Sequence, residues 1–237
     1  MTLTPQRSLN PKTFNTNPAF NDLNRLAKYI REYGCDGCEL GQQKTIKGPV
    51  LNRGNPTAEI MAVGEGPGKI EDRDGKVFIG PAGELGDRIF QCIDIDTNED
   101  VYLCNVSNCR YCAPYKSGRE NLTPTEEHTS ACLPYFFHQL NIVKPKILIT
   151  LGMTAFKSLF PERAKAARGV LLSIVGKPFL WDEYNIPVLP MYHPAVLIHS
   201  KNDKERLLFY RRKTYEQIQL LGKILDNDFS LKGVVNE

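Results

Sequence analysis

Short apolar runs alternate with amphipathic stretches along most of this chain. Phe20, Leu23, Ala27 and Ile30 recur at gaps of three and four, which predicts a short helix stopping at Gly34. A connector rich in Gly, Pro and Asn runs to Asn55-Pro56, and Ala58 to Val63 then reads as a first buried strand, cut off by Gly64-Glu65-Gly66-Pro67-Gly68. A charged loop leads through Phe78 and Gly80-Pro81-Ala82-Gly83 into a helix expected over about Glu84 to Ile93, followed by a second strand from Val101 to Val106. Thr123-Pro124-Thr125-Glu126 reads as an N-cap, a proline in the first turn and early acids, so a helix is expected to about Leu140. Lys146 to Leu151 is the third strand and Gly152 to Leu159 a helix. Val170 to Val175 and Phe179 to Trp181 are expected to form a hairpin around Gly176-Lys177, before a last strand at Pro187 to Met191. Leu208, Tyr215, Ile218, Leu221 and Leu225 are expected to line one face of a long C-terminal helix. The expected organisation is an extended arm over 1–18, one domain over 19–225 and a tail over 226–237.

Strands alternating with helices indicate a parallel sheet covered on both faces, and such sheets bind ligands beyond the carboxyl ends of their strands. The first strand ends in the Gly64 to Gly68 loop, the second near Asn105, and the last at His193-Pro194-Ala195. These residues are therefore expected to converge on one edge, with Phe78 arriving on the loop after the first strand. The glycine loop is neither a P-loop, since Gly64 and Gly68 enclose three residues and Lys69 is followed by Ile70, nor a dinucleotide fingerprint, since Lys69 stands where the third glycine is needed. Taken singly, the loop reads as a structural turn, His193 as a satisfied half-buried histidine and Phe78 as core. Their shared edge is what raises them to candidates.

Composition narrows the class further. With 41% hydrophobic and 24% charged residues in 237, the chain is an ordinary globular one, not a disordered or fibrous one. No apolar run approaches the roughly 18 residues of a membrane span, and the Asn-, Thr- and Pro-rich start lacks the apolar centre of a secretion signal. A cytoplasmic location without membrane association is expected. The net charge of +3 does not by itself indicate a polyanion partner, but Lys201, Lys204, Arg206, Arg211, Arg212 and Lys213 form a local basic cluster. Seven cysteines are many for a cytosolic chain and point to metal binding or burial. Cys35 with Cys38 and Cys109 with Cys112 form two C-x2-C pairs, which suits a four-cysteine zinc site in type. Seventy residues separate the pairs, however, far more than the roughly 15–20 of a zinc ribbon.

Taken in order, the motifs resemble a known family. Gly64-Glu65-Gly66-Pro67-Gly68, Glu71-Asp72, Gly75, Phe78, Gly80-Pro81-Ala82-Gly83, Asn105 with Cys109 four residues on, Thr123-Pro124-x-Glu126-Glu127 leading to Cys132, Pro145-Lys146, Leu151-Gly152, Arg168-Gly169 and His193-Pro194-Ala195 are similar to the iron-sulfur (family-4) uracil-DNA glycosylases. The match runs from about Cys35 to Ile198. The resemblance implies a three-layer α/β/α domain around a four-stranded parallel sheet, and a [4Fe-4S] cluster held by Cys35, Cys38, Cys109 and Cys132. Cys92, Cys104 and Cys112 are then spare thiols, with Cys112 the most credible replacement ligand.

The implied activity is hydrolysis of the N-glycosidic bond of deoxyuridine in DNA, leaving an abasic site for base excision repair. Such an enzyme extracts a base from the stack, reads its Watson-Crick edge and stabilises the charge left on it. Phe78 would stack on uracil, and Asn105, with one amide donor and one acceptor, would pair with O4 and N3–H. His193, with backbone N–H groups around Gly66 and Gly68, would donate to O2 as uracilate develops. Glu65 or Glu71 would orient the attacking water, because Gly66 stands where better-known branches carry aspartate. Leu197 is the expected wedge into the DNA stack, and His199, Lys201, Lys204 and Arg206 the phosphate contacts. The twenty-two residues between Cys109 and Cys132 exceed the family's usual spacing, which marks Arg110 to Leu122 as an insertion. The expected partner is uracil-containing DNA, single- or double-stranded, bound by a monomer. The competing readings are a non-catalytic iron-sulfur relative serving replication or repair as a DNA-binding accessory factor, and a zinc-stabilised nucleotide-binding module.

Overall fold

The computed structural model describes residues 23–33, 38–42, 48–112 and 121–234. The expected arm over 1–18, Cys35 and the middle of the insertion lie outside the described residues. In chain order the elements are α1 (Leu23–Tyr33), α2 (Glu39–Gln42), β1 (Asn52–Gly54), β2 (Ile60–Gly64), α3 (Lys69–Asp74), α4 (Pro81–Gln91), β3 (Val101–Asn105), α5 (Glu126–Val143), β4 (Ile147–Leu151), α6 (Met153–Leu159), α7 (Pro161–Ala166), β5 (Phe179–Trp181), β6 (Ile186–Met191), α8 (Ala195–His199) and α9 (Lys204–Asp226).

The strands lie in the order β1-β3-β2-β4-β6-β5. β2 pairs in parallel with both β3 and β4, and β4 pairs in parallel with β6. These strands are buried at every position, which is why they read as unbroken apolar runs. The sheet has six strands where four were expected, because β1 and β5 add antiparallel edges. β1 is Asn-Arg-Gly, three partly exposed residues that offer no apolar signal and are recruited by pairing with Tyr102 to Cys104.

Alternation along the strands feeds two cores. Met61, Val63, Tyr102, Cys104 and Leu148 face α5 and α6, meeting Leu133, Phe136, Phe137, Leu140 and Phe156. Ile60, Ala62, Val101, Leu103, Ile147 and Ile149 face the other way, meeting Phe90 of α4 and Ile218, Leu221 and Ile224 of α9. Phe229, Leu231 and Val234, beyond α9, also pack on this second core.

Three local expectations are corrected. Leu171–Ser173 is a single 3-10 turn, with Val170 and Leu172 exposed, and β5 pairs instead with β6, occupying the edge a strand at 170–175 would need. The cap of α5 is Thr125, not Thr123: its Oγ1 accepts from His128 N–H at 3.3 Å, while His128 Nδ1 accepts from Thr125 N–H at 3.2 Å. A cap of this kind contributes about 1 kcal/mol. On α9, Ile218 and Leu221 are buried as expected, but Leu208 and Tyr215 are 64% and 61% exposed. The reason is helix face: Leu207, Tyr210, Thr214, Gln217, Ile218 and Leu221 form the covered stripe, and Leu208 and Tyr215 lie about 100° round the helix from it. No helix of the described residues is long and apolar enough to cross a membrane.

Candidate functional site

The carboxyl ends of β2, β3 and β6 open into a cleft of about 740 Å³ that takes in Glu65, Gly66, Gly68, Glu71, Phe78, Asn105 and His193. The convergence follows from parallel pairing: Gly64 and Asn105 are register partners at the ends of β2 and β3, and His193 comes two residues after β6. His199 and Arg206 also line the cleft. Leu197 is half-buried on α8, outside the lining, and Lys201 and Lys204 are exposed beyond it.

Glycines set the walls. A Cβ on Gly64 would stand 2.5 Å from Phe78 Cζ and 2.7 Å from Asn105 Oδ1, so this position brings the ring and the amide together by carrying no side chain. Phe78 is held at φ 54°, in the left-handed region. Its ring lies 5.9 Å from the imidazole of His193, with an interplanar angle of 29°. Glu71 Oε1 accepts the Gly80 N–H at 2.8 Å at the start of α4, and Glu65 Oε2 accepts from Thr154 Oγ1 at 2.6 Å on α6. Both carboxylates are thus anchored to the elements around the cleft.

The protonation state of His193 follows from its surroundings. Its Nδ1 accepts the Ala195 N–H at 3.2 Å, which places the proton of the neutral ring on Nε2. Burial, reinforced by the nearby His199, lowers its pKa from 6.5 to about 4. At neutral pH His193 is therefore an uncharged N–H donor.

The sequence reading missed Tyr111 and Asn121, which also line the cleft. They sit at the two ends of the insertion, where Cys112 and Asn121 form an isolated antiparallel bridge, and no periodic pattern could bring these ends together in advance. Arg110 Nε donates to Asn121 Oδ1 at 2.6 Å, which leaves the Asn121 Nδ2 as the amide group facing Gly68.

A second polar centre lies nearby. Cys38 and Cys109 pack in one small buried cluster with Leu40, against Tyr111 and Ala131, and Cys132 follows Ala131 on α5. Cys132 Sγ accepts the Asn108 N–H at 3.5 Å. The side-chain amide of Asn108 is fully buried with neither its nitrogen nor its oxygen bonded among the described residues. His128 Nε2 reaches Glu39 Oε1 at 3.1 Å, joining the residue after Cys38 to the helix carrying Cys132. Among the described residues no group of three or more His, Cys, Asp or Glu side chains is arranged to hold a metal ion. Cys112 is buried at the base of the insertion opposite Asn121, Cys92 is exposed, and Cys104 lies in the first core, where burial raises its pKa.

Fold and cleft together define an α/β protein with a polar, aromatic-lined cleft at the carboxyl edge of its sheet. The family model of the uracil DNA glycosylase superfamily matches residues 51–217, and the chain belongs to that superfamily. It is 33% identical to the type-4 uracil-DNA glycosylase of Sulfurisphaera tokodaii, over 84% of this chain and 86% of that protein. It is 34% identical to those of Saccharolobus solfataricus, over 87% and 91%, and Thermotoga maritima, over 73% and 82%.

Proposed function

We propose that this protein is a uracil-DNA glycosylase of the type-4 kind, which hydrolyses the N-glycosidic bond of deoxyuridine in DNA. The observation that carries the reading is the meeting of Phe78, Asn105 and an uncharged His193 N–H in one cleft. Phe78 offers the ring on which a flipped base stacks, and Asn105 the amide that matches uracil O4 and N3–H. His193 Nε2–H and the backbone N–H groups of the Gly66 to Gly68 turn stabilise negative charge at O2 as the bond to the sugar breaks. A neutral imidazole suits this task, because its Nε2–H donates a hydrogen bond without first taking up a proton from solvent.

Water orientation is assigned to Glu71. The position a Cβ of Gly68 would take lies 2.6 Å from Glu71 Oε2 and 3.4 Å from Asn121 Nδ2, so a small polar molecule over Gly68 meets one acceptor and one donor. Glu65 is assigned the role of holding the loop to α6 through Thr154.

Cys35, Cys38, Cys109 and Cys132 are proposed as the ligands of a [4Fe-4S] cluster. The buried Cys38 and Cys109, the backbone N–H directed at Cys132 Sγ and the orphaned amide of Asn108 all suit a sulfur-rich group there. Such a cluster supplies cross-linking of three separate chain segments. The residues at the cleft act without it in every step described.

The test of the activity is incubation of purified protein with single- and double-stranded oligonucleotides carrying one uracil, then alkaline cleavage. Strand scission at the uracil is expected, and intact strands in every case would remove the reading.

A further inference from the structure

We infer that the first half of α9 is a stacking platform for unpaired DNA bases next to the extruded one, with Phe209 and Leu208 as its contact residues. The inference rests on the glycosylase reading and extends it to the strand outside the pocket.

The geometry starts from Gln217, which binds the Tyr192 N–H at the carboxyl edge of the sheet. Helix α9 begins thirteen residues earlier, at Lys204, about 20 Å along the helix axis at 1.5 Å per residue, with α8 packed against it. The carboxyl edge is the one on which the cleft opens, and Arg206 lines both. From Lys204 to Lys213 only Leu207, Tyr210 and Lys213 are even half-buried, and the first buried residue is Thr214. This first half of the helix therefore leaves most of its surface exposed.

What it displays is unusual for a solvated helix. Leu208 is 64% and Phe209 40% exposed; Leu208 has Lys204 and Arg211 one turn away, and Phe209 has Arg206 and Arg212 with Glu205 beside them. The aromatic rings are braced from behind: Phe209 meets Tyr210 at 5.3 Å, Tyr210 meets Tyr192 at 5.1 Å, and the Arg206 guanidinium lies 5.7 Å from the Tyr210 ring centroid. Glu216 engages Arg212 at 3.1 Å and Lys213 at 2.7 Å, and with Asp203 and Glu205 at the helix start the six cations from Lys201 to Lys213 still leave this stretch net positive.

Charge and continuity with the cleft select a nucleic acid as occupant. A duplex presents phosphates and closed base pairs along its flank, for which cations suffice. Exposed Leu and Phe gain contact only where base faces are open, as in a single strand, and cations interleaved with aromatic rings are the general pattern of such sites.

The test uses the full chain and uracil-free fluorescent oligonucleotides, single-stranded and duplex, read by anisotropy. Phe209→Ala is expected to weaken single-strand binding by about tenfold, the scale of one lost stacking contact, with duplex binding changed less than about twofold. Leu208→Ala should act in the same sense, and Phe209→Trp should retain single-strand affinity. Because both side chains are exposed, unchanged thermal melting is expected and is measured alongside. Equal weakening on both DNAs, or unchanged single-strand binding as for a surface that docks protein instead, overturns the inference. Uracil excision by the same preparations separates the two claims. Excision with Phe209-independent binding removes only the platform, whereas Phe209-dependent binding without excision from any substrate removes only the glycosylase reading.

Discussion

Gly83 lies so close beneath Phe78 that a Cβ built on it would stand 1.9 Å from the Phe78 carbonyl oxygen and 2.1 Å from the carbonyl carbon. Both contacts are to backbone, so no side-chain rotation relieves them. Gly83→Ala must move either α4 or the Phe78 loop, at a cost of about 1–3 kcal/mol as for other overpacked sites. A lowered melting temperature together with slower single-turnover excision is expected. Wild-type values of both would mean that the loop adapts freely and that Phe78 is not held by this contact.

The uncharged state of His193 predicts the shape of the pH profile. With a folded-state pKa near 4 and an ordinary value of 6.5, the ring binds no proton in the folded protein until well below neutrality. Its contribution to stability is complete above pH 6.5 and is lost as pH falls through 4, because the unfolded chain takes up the proton first. Single-turnover excision should show no titration of this histidine from about pH 5 to 8. His193→Ala should slow excision by about 100 to 1000-fold, the usual effect of removing one donor to a developing anion. A break near pH 6.5 that vanishes in the alanine variant would contradict the assignment.

Asn105→Asp is expected to abolish discrimination for uracil along with most of the activity. A carboxylate repels O4 and has no donor to offer it, whereas the amide supplies one. Competition between uracil- and cytosine-containing oligonucleotides reads this directly, and Asn105→Ala turning over like wild type would show that the side chain does not contact the base.

Much of this site was legible because parallel strands end at predictable places. Asn105, His193 and the Gly64 loop were assigned to one edge from apolar run lengths alone, and the cleft holds all three. Tyr111 and Asn121 were not, since they meet through an isolated bridge across an insertion with no period to read. The edge strand β1 escaped for a related reason: Asn-Arg-Gly carries no burial signal, and its pairing depends on Tyr102 to Cys104, about fifty positions away. Helix α9 shows the converse failure, in which Leu208 and Tyr215 belong to an apolar stripe beside the one that the rest of the protein covers.

Leu197 on α8 provides a test of how the base leaves the stack. Leu197→Ala should slow excision most for uracil opposite adenine, less opposite guanine and least in a single strand, following the few kcal/mol of unstacking and unpairing that each substrate demands. A uniform loss on all three would assign Leu197 to the packing of α8.

Cys132→Ala should yield colourless protein lacking iron and sulfide, while Cys92→Ala, at an exposed position, should leave both at about four per chain. Stoichiometric zinc without iron in anaerobically prepared protein would overturn the proposed cluster.

Between Asn105 at the cleft and Cys109 in the cysteine patch run only Val106, Ser107 and Asn108, all buried. The span is clamped on both sides: Ser107 N–H binds the Glu65 carbonyl at 3.0 Å, Val50 N–H binds the Asn108 carbonyl at 2.7 Å, and Ser107 Oγ donates to the Cys109 carbonyl at 3.2 Å. Four residues fully extended reach no more than about 14 Å. A disturbance at the thiols is therefore separated by only three buried residues from the amide proposed to read the base. On the proposed roles, mild oxidation of these cysteines is expected to erode the preference for uracil over cytosine before it lowers the melting temperature, an order of events that competition assays and thermal melting on the same samples would read.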